Sequence, residues 1–229
     1  MRKLLKDRIP NDHTRQVNSF YYVDYLLKQK NVRTVLDLGC GDGRSIDYFR
    51  MKNKDVTWFG LDIASSPEVD LRIRKDGIFV MYNGVNVPFA SDVFDLIYSN
   101  QAFEHIQNPR EVLKEVYRIL KPGGFFIGST SHLEPYHSRS FWNYTPYGFS
   151  CLIEEAGLKT MEIRPGIDSL TLIMRSGFLN QKFTRYFSRL SLLNRLIQLF
   201  GKILGLTNQQ INNIKLEFCG QFSFMAIKT

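Results

Sequence analysis

Along the 229 residues, apolar positions gather in short runs of strand length, separated by stretches with helical periodicity. The runs lie at Thr34 to Leu38, Val56 to Leu61, Ile78 to Tyr82, Phe94 to Ser99 and Gly124 to Ser129, each bounded by Gly, Asp, Asn or Pro. Between them, helical stretches are predicted at Arg44 to Met51 and Pro109 to Leu120, the second stopped by Lys121-Pro122-Gly123-Gly124. A further helix over Thr14 to Lys30 leads into this series. Downstream, Thr145-Pro146 is a helix start, because Thr caps free amides and Pro fits the first turn. That helix is expected to run to about Ala156 and stop at Gly157. Lys159 to Ile163 and Phe218 to Ile227 complete a set of seven strands. Alternation of strands and helices predicts an α/β architecture, a doubly wound and mostly parallel sheet that binds its ligand at the carboxyl ends of the strands. The chain is read as one domain: residues 1–30 lead in, 31–165 form the binding core, 166–216 are a helical insert and 217–229 the last strand.

The segment VLDLGCGDGRS, Val35 to Ser45, sets Gly39, Gly41 and Gly43 between a strand and a helix. A tight strand-to-helix turn alone needs one glycine; three in alternation let a ligand approach the main chain closely. The spacing is G-x-G-x-G, and the third glycine that a dinucleotide fingerprint needs for a pyrophosphate is missing. Asp62 ends the next apolar strand, where a carboxylate can accept both hydroxyls of a ribose. The binding reading depends on the backbone amides of the glycine bend acting together with this carboxylate.

These segments, together with NVPFASDVFDLIYSNQAFEHIQNP and the helix ending RILKPGGFFIGST, resemble class I S-adenosylmethionine-dependent methyltransferases of the small-molecule type. The resemblance runs from Val32 to Ser131 and implies a Rossmann-like methyltransferase fold. It implies S-adenosyl-L-methionine as cofactor, leaving S-adenosyl-L-homocysteine. By position, Asp37 would hold the donor's amino group, the loop Gly39 to Gly43 would wrap its methionine portion and Asp62 would hold the ribose. The implied donor pocket comprises Asp37, Gly39, Cys40, Gly41, Gly43, Asp62, Ile63, Asn83, Gly84, Asn100 and Gln101. Asn83 stands where the family often carries an aspartate for the adenine amino group, and its carbonyl oxygen can accept in the same way. No N/D-P-P-Y/F tetrapeptide follows the fourth strand, which argues against transfer to an amide or a base amine.

Methyl transfer from a sulfonium is an in-line displacement, so the protein must align the partners and, for a hydroxyl, take its proton. Histidine titrates in the right range. His105 follows the fourth strand, and His132 and His137 follow the fifth in STSHLEPYHSRSFWNYTPYG; His13 lies in a polar leader. The base is expected to be His137, or failing that His105 or His132. Phe141, Trp142 and Tyr144 form either a lid over the acceptor or packing for the next helix. The histidine followed by an aromatic-x-aromatic-T-P-x-G element is similar to bacterial methyltransferases of cell-surface polysaccharide and related glycan pathways. That similarity implies a glycan-related acceptor, and a glycan-related or lipid-linked small molecule is the acceptor expected.

Composition narrows the partners. Hydrophobic residues are 44% and charged residues 23%, as in globular proteins. Cys40, Cys151 and Cys219 form no CxxC pair, so neither a zinc site nor a disulfide framework is expected, and a cytoplasmic location is. No signal peptide or spanning segment is expected. The net charge of +8 is concentrated at the carboxyl end, where Arg175 onward holds eight basic residues against the single acid Glu217. In Lys182 to Leu206 these cations accompany many apolar residues, and Asn194, Arg195, Gln198 and Lys202 share one helical face. Such a segment can lie on the inner face of a membrane, pack its apolar face on the domain, or join a second subunit as a homodimer. Nucleic acid is disfavoured because exposed aromatics and glycines do not interleave the cations. An RNA or protein methyltransferase, or a catalytically silent binding protein, are the rival functions.

Overall fold

The computed structural model describes residues 5–177 and 191–229. In chain order the elements are α1 (Phe20–Gln29), β1 (Thr34–Leu38), α2 (Ser45–Lys52), β2 (Thr57–Asp62), α3 (Pro67–Asp70), β3 (Ile78–Met81), β4 (Phe94–Asn100), α4 (Pro109–Ile119), β5 (Leu120–Ser131), α5 (Pro146–Glu155), β6 (Lys159–Pro165), α6 (Ser169–Gly177), α7 (Leu192–Ile203), α8 (Asn208–Glu217) and β7 (Gln221–Ile227). The seven strands form one sheet in the order β3-β2-β1-β4-β5-β7-β6. All pairings are parallel except those of β7, which runs antiparallel to both neighbours. This is the expected doubly wound methyltransferase-type sheet.

The central strands are apolar without alternation because helices cover both faces. Leu36 and Leu38 of β1 join Ile97, Phe126 and Phe224 in a cluster with Val112, Val116 and Phe149 of α4 and α5. Val35, Leu96 and Ile127 face the other way, onto Val23 and Leu26 of α1 and Phe49 of α2. Thr145 caps α5 through Gly148 N at 3.0 Å, as its sequence predicts. The three cysteines are free. No helix among the described residues is long and apolar enough to cross a membrane.

Three boundaries differ from the sequence reading. The fifth strand begins at Leu120 rather than Gly124, with Leu120 pairing with Phe94 of β4. The lead-in helix begins at Phe20 rather than Thr14, because the chain before it is held by hydrogen bonds to distant elements. Val17 N donates to Pro165 O (3.1 Å), Asn212 Nδ2 to His13 O (2.7 Å) and Lys215 Nζ to Thr14 O (2.6 Å). The last strand begins at Gln221 rather than Phe218, since Phe218 ends α8 and Cys219 bridges to Asp168. Of the basic segment, residues 182–190 lie outside the described residues. The remainder forms α7, whose orientation reverses the packing expected of an amphipathic helix: Asn194 and Gly201 are buried, while Leu196, Leu199 and Ile203 are exposed.

Candidate active site

The carboxyl edge of β1 opens into a bend in which Gly39, Gly41 and Gly43 have φ of +77°, +52° and +79°. This left-handed region disfavours side chains. At Gly39 space is the second constraint, for a Cβ there would stand 2.3 Å from Ala102 Cβ. The bend is therefore pressed against the segment after β4, and that contact makes the floor of a cleft.

Asp62, at the end of β2, turns its carboxylate toward the bend. Its oxygens accept from Gly41 N (2.6 Å) and Ile63 N (2.8 Å). The expectation that the loop's amides face a ligand needs correction. Gly39 N and Cys40 N donate to Leu61 O, Gly41 N to Asp62 and Gly43 N to Cys40 O. With these donors satisfied inside the protein, the bend offers close approach rather than an anion cradle, which also disfavours a pyrophosphate.

Asp37 is buried, 3% exposed, and accepts from the Ser45 hydroxyl. Burial pushes its carboxyl up to about 7, with the charges of Asp62 and Asp42 adding to the rise. Burial also raises Asp62. Two partly desolvated acids in one cleft favour a ligand that brings positive charge and hydroxyl donors.

The cleft holds about 480 Å³, within the range of small-molecule sites. Of the sequence-predicted donor residues, Asp37, Gly39, Cys40, Gly41, Asp62, Ile63, Asn100 and Gln101 line it, while Gly43, Asn83 and Gly84 do not. Gly43 shapes the bend from behind, facing Phe79. Asn83 is exposed, and its Oδ1 already accepts from Val85 N (3.1 Å) and Asn86 N (2.8 Å), closing a local turn. Both carbonyl lone pairs are thus used, so the acceptor role expected of Asn83 has no free oxygen. Sequence reasoning missed Phe20, Ser66, Glu68, Tyr82 and Ile106, which also line the cleft. Tyr82 directly precedes Asn83, and its place after an apolar strand was a usable signal; Phe20 lies in the lead-in and carried none.

At the other end of the cleft stand His105 and His137, with ring centroids 5.2 Å apart and edge to face. Among the described residues His105 Nδ1 is buried without a hydrogen-bond partner. Burial lowers the His105 pKa, which favours the neutral ring. His137 Nδ1 lies 3.2 Å from Pro135 O. His132 is not part of the cleft; its ring is half buried and its backbone N donates to Gly220 O.

Behind the histidines, Glu104 is fully buried and accepts from Thr130 Oγ1 and Ser131 Oγ, both at 3.0 Å. Burial pushes its carboxyl up to about 7. Its backbone carbonyl accepts from Phe141 N and Trp142 N, anchoring the segment after β5. In that segment Tyr144 is buried against Phe149, whereas Phe141 and Trp142 are 56% and 45% exposed and do not line the cleft. Glu104, His105 and His137 bring ligand-type atoms within 4.8 Å of one another.

A family model described as a methyltransferase domain matches residues 36–128, the span from β1 to β5 that builds this cleft. Residues 36–128 are thus a methyltransferase domain, similar to those of S-adenosylmethionine-dependent methyltransferases. The methyltransferase domain is 34% identical over 106 residues to the malonyl-[acyl-carrier protein] O-methyltransferase of Salmonella typhimurium, covering 46% of this chain and 41% of that protein. It is 28% identical over 109 residues to the ubiquinone biosynthesis O-methyltransferase of Pseudomonas paraeruginosa, covering 45% and 46%. The chain thus spans less than half the length of these curated relatives. A solved S-adenosylmethionine-dependent methyltransferase from Mesorhizobium loti superposes with a TM-score of 0.56 at 14% identity, over 91% of this chain and 97% of that one, which shows the shared fold.

Proposed function

We propose that this chain binds S-adenosylmethionine in the cleft and transfers its methyl group to an oxygen of a glycan-related or lipid-linked small molecule. The observation that carries the reading is that one cleft joins Asp37, Asp62 and the glycine bend at one end to His105 and His137 at the other. Asp62 would hold the ribose hydroxyls and Asp37 the ammonium group, whose charge relieves the buried acid. The sulfonium, when bound, supplies an electrophilic methyl group. The chain's own contribution is to hold the acceptor in line beyond it and to take the hydroxyl proton on a histidine nitrogen as the new O–CH₃ bond forms. His105 and His137 are the two histidines placed for this; the favoured neutral form and unpartnered Nδ1 of His105 support it as base beside His137.

Oxygen as the acceptor atom is supported by the names of the two relatives, both O-methyltransferases. The glycan class rests on the FWNYTPYG element alone, and the lipid-linked class on the basic apolar segment near the carboxyl end. In this reading the enzyme works at the cytoplasmic face of a membrane.

Calorimetry with S-adenosylmethionine and S-adenosylhomocysteine tests the donor site. Micromolar binding is expected, weakened about tenfold or more in Asp62→Ala by loss of hydrogen bonds to a charged group. Absence of uptake of both compounds overturns the reading. Incubation with labelled donor and fractionated cell lipids and sugars then tests the acceptor, and label appearing only in RNA or protein would refute the small-molecule class.

A further inference from the structure

The outward face of α7 is the opposite of what a surface helix ordinarily shows. Toward the domain it presents Asn194, Gln198 and Gly201. Asn194 is fully buried, and its Nδ2 donates to Gln16 Oε1 (2.8 Å) and Gly166 O (2.9 Å). Gln198 Oε1 accepts from Lys215 Nζ (3.2 Å). Gly201 lies so close to α8 that a Cβ would stand 2.6 Å from Ile211 Cγ1. The inward face is therefore pinned by polar and close-packed contacts, which fixes the helix's rotation.

At i, i+4, i+7 and i+11 on the far side stand Leu192, Leu196, Leu199 and Ile203, from 40% to 70% exposed. Phe200 and Leu204, at 58% and 73%, widen the stripe. Among the described residues nothing covers it. A contiguous apolar stripe on a helix held this firmly marks a contact surface.

Charge selects the occupant. Arg195 and Lys202, both exposed, flank the stripe, and no acidic residue occurs from Ser191 to Leu216. The preceding stretch, 178–190, adds Lys182, Arg185 and Arg189 to the sequence and again no acid. A second copy meeting this face about a two-fold axis would set like charges against each other. An anionic lipid surface neutralises them while the apolar side chains enter the acyl boundary.

The location fits as well. β6 runs parallel to β5, so Gly166 and the helices that follow it sit at the carboxyl edge of the sheet, where the cleft opens. Gln16, which accepts from Asn194, is three residues from Ser19, whose hydroxyl donates to Asn100 Oδ1 (2.7 Å) in the cleft wall. We propose that the outward face of α7 docks this protein on an anionic lipid bilayer. The proposal deepens the lipid-linked reading of the acceptor, yet it is read without turnover and so can fail separately from it.

The test is sedimentation of the full chain with vesicles of phosphatidylcholine containing phosphatidylglycerol, and with phosphatidylcholine alone. Cosedimentation with the anionic vesicles is expected, abolished by high salt and weakened about tenfold or more in the Leu199→Ser, Ile203→Ser double variant. Both side chains are exposed, so the melting temperature and donor affinity of that variant should match the wild type. The proposal is overturned if the wild type stays in the supernatant, or if the double variant sediments equally. A dimer that the same substitutions dissolve, without vesicle binding, would assign the face to a second copy and overturn it too.

Discussion

Gly39→Ala is the sharpest test of how the cleft floor is built. Two costs are separable. Placing a non-glycine residue at φ +77° costs about 1–2 kcal/mol, since the left-handed region brings Cβ against the following carbonyl. The new methyl would also stand 2.3 Å from Ala102 Cβ, and relieving that contact by overpacking a rigid site costs about 1–3 kcal/mol. The total, about 2–5 kcal/mol, corresponds to a fall in melting temperature of roughly 4–20 °C for a protein of this size. Ala102→Gly in the same chain removes the clash but leaves the backbone strain. The double variant should therefore recover the second cost and not the first, a coupling of about 1–3 kcal/mol in urea denaturation. Donor affinity, read by calorimetry, should follow the same order. A single variant that loses less than about 1 kcal/mol, or a double variant with no recovery, would show that the bend is not pressed against the segment after β4, and the account of the cleft floor would be wrong.

Two further outcomes follow from the buried groups. Glu104 and Asp37 have carboxyls raised to about 7 from ordinary values near 4, so the folded state binds protons that the unfolded state releases. Their contribution is present below pH 4 and lost as pH rises through 7, costing up to about 3–4 kcal/mol at each site. Melting temperatures of the ligand-free protein should fall between pH 5 and pH 7.5, and Glu104→Gln should flatten that slope; an unchanged slope in the variant would be decisive against it. On the acceptor side, His105→Ala and His137→Ala should each lower turnover on the identified acceptor by about 10²-fold or more at donor affinity within about twofold, with His132→Ala near wild type. Equal loss in all three variants would sink the assignment of the cleft mouth.

The donor half of the site was legible in the sequence because it is local. A strand, three glycines and a helix start lie within Val35 to Ser45, and the backbone angles they require are properties of those residues. Asp62 was legible for the same reason, as the residue on which an apolar run ends. The alternation of runs and periodic stretches likewise predicted seven strands, since a sheet covered on both faces leaves its mark in every central strand.

What escaped the sequence depends on partners far along the chain. Thr14 to Val17 has the composition of a helix start, but its carbonyls and amides are claimed by β6 and α8, some 150 to 200 residues later. Asn83 has the chemistry of an adenine ligand, yet its oxygen closes its own turn. Glu104 looks like an exposed loop acid until two hydroxyls of β5 take it into the interior. The periodicity of α7 showed that one side is polar and the other apolar, and could not show which side faces in. Rotation of a helix is decided by what it meets, and here it meets Gln16, Lys215 and the backbone of Gly166, groups whose hydrogen bonds outweigh the burial of a leucine stripe. Sequence therefore determined the elements and the chemistry that sits inside a single turn. Tertiary structure decided which buried polar groups are satisfied and by whom, because desolvation acts only on groups already brought together.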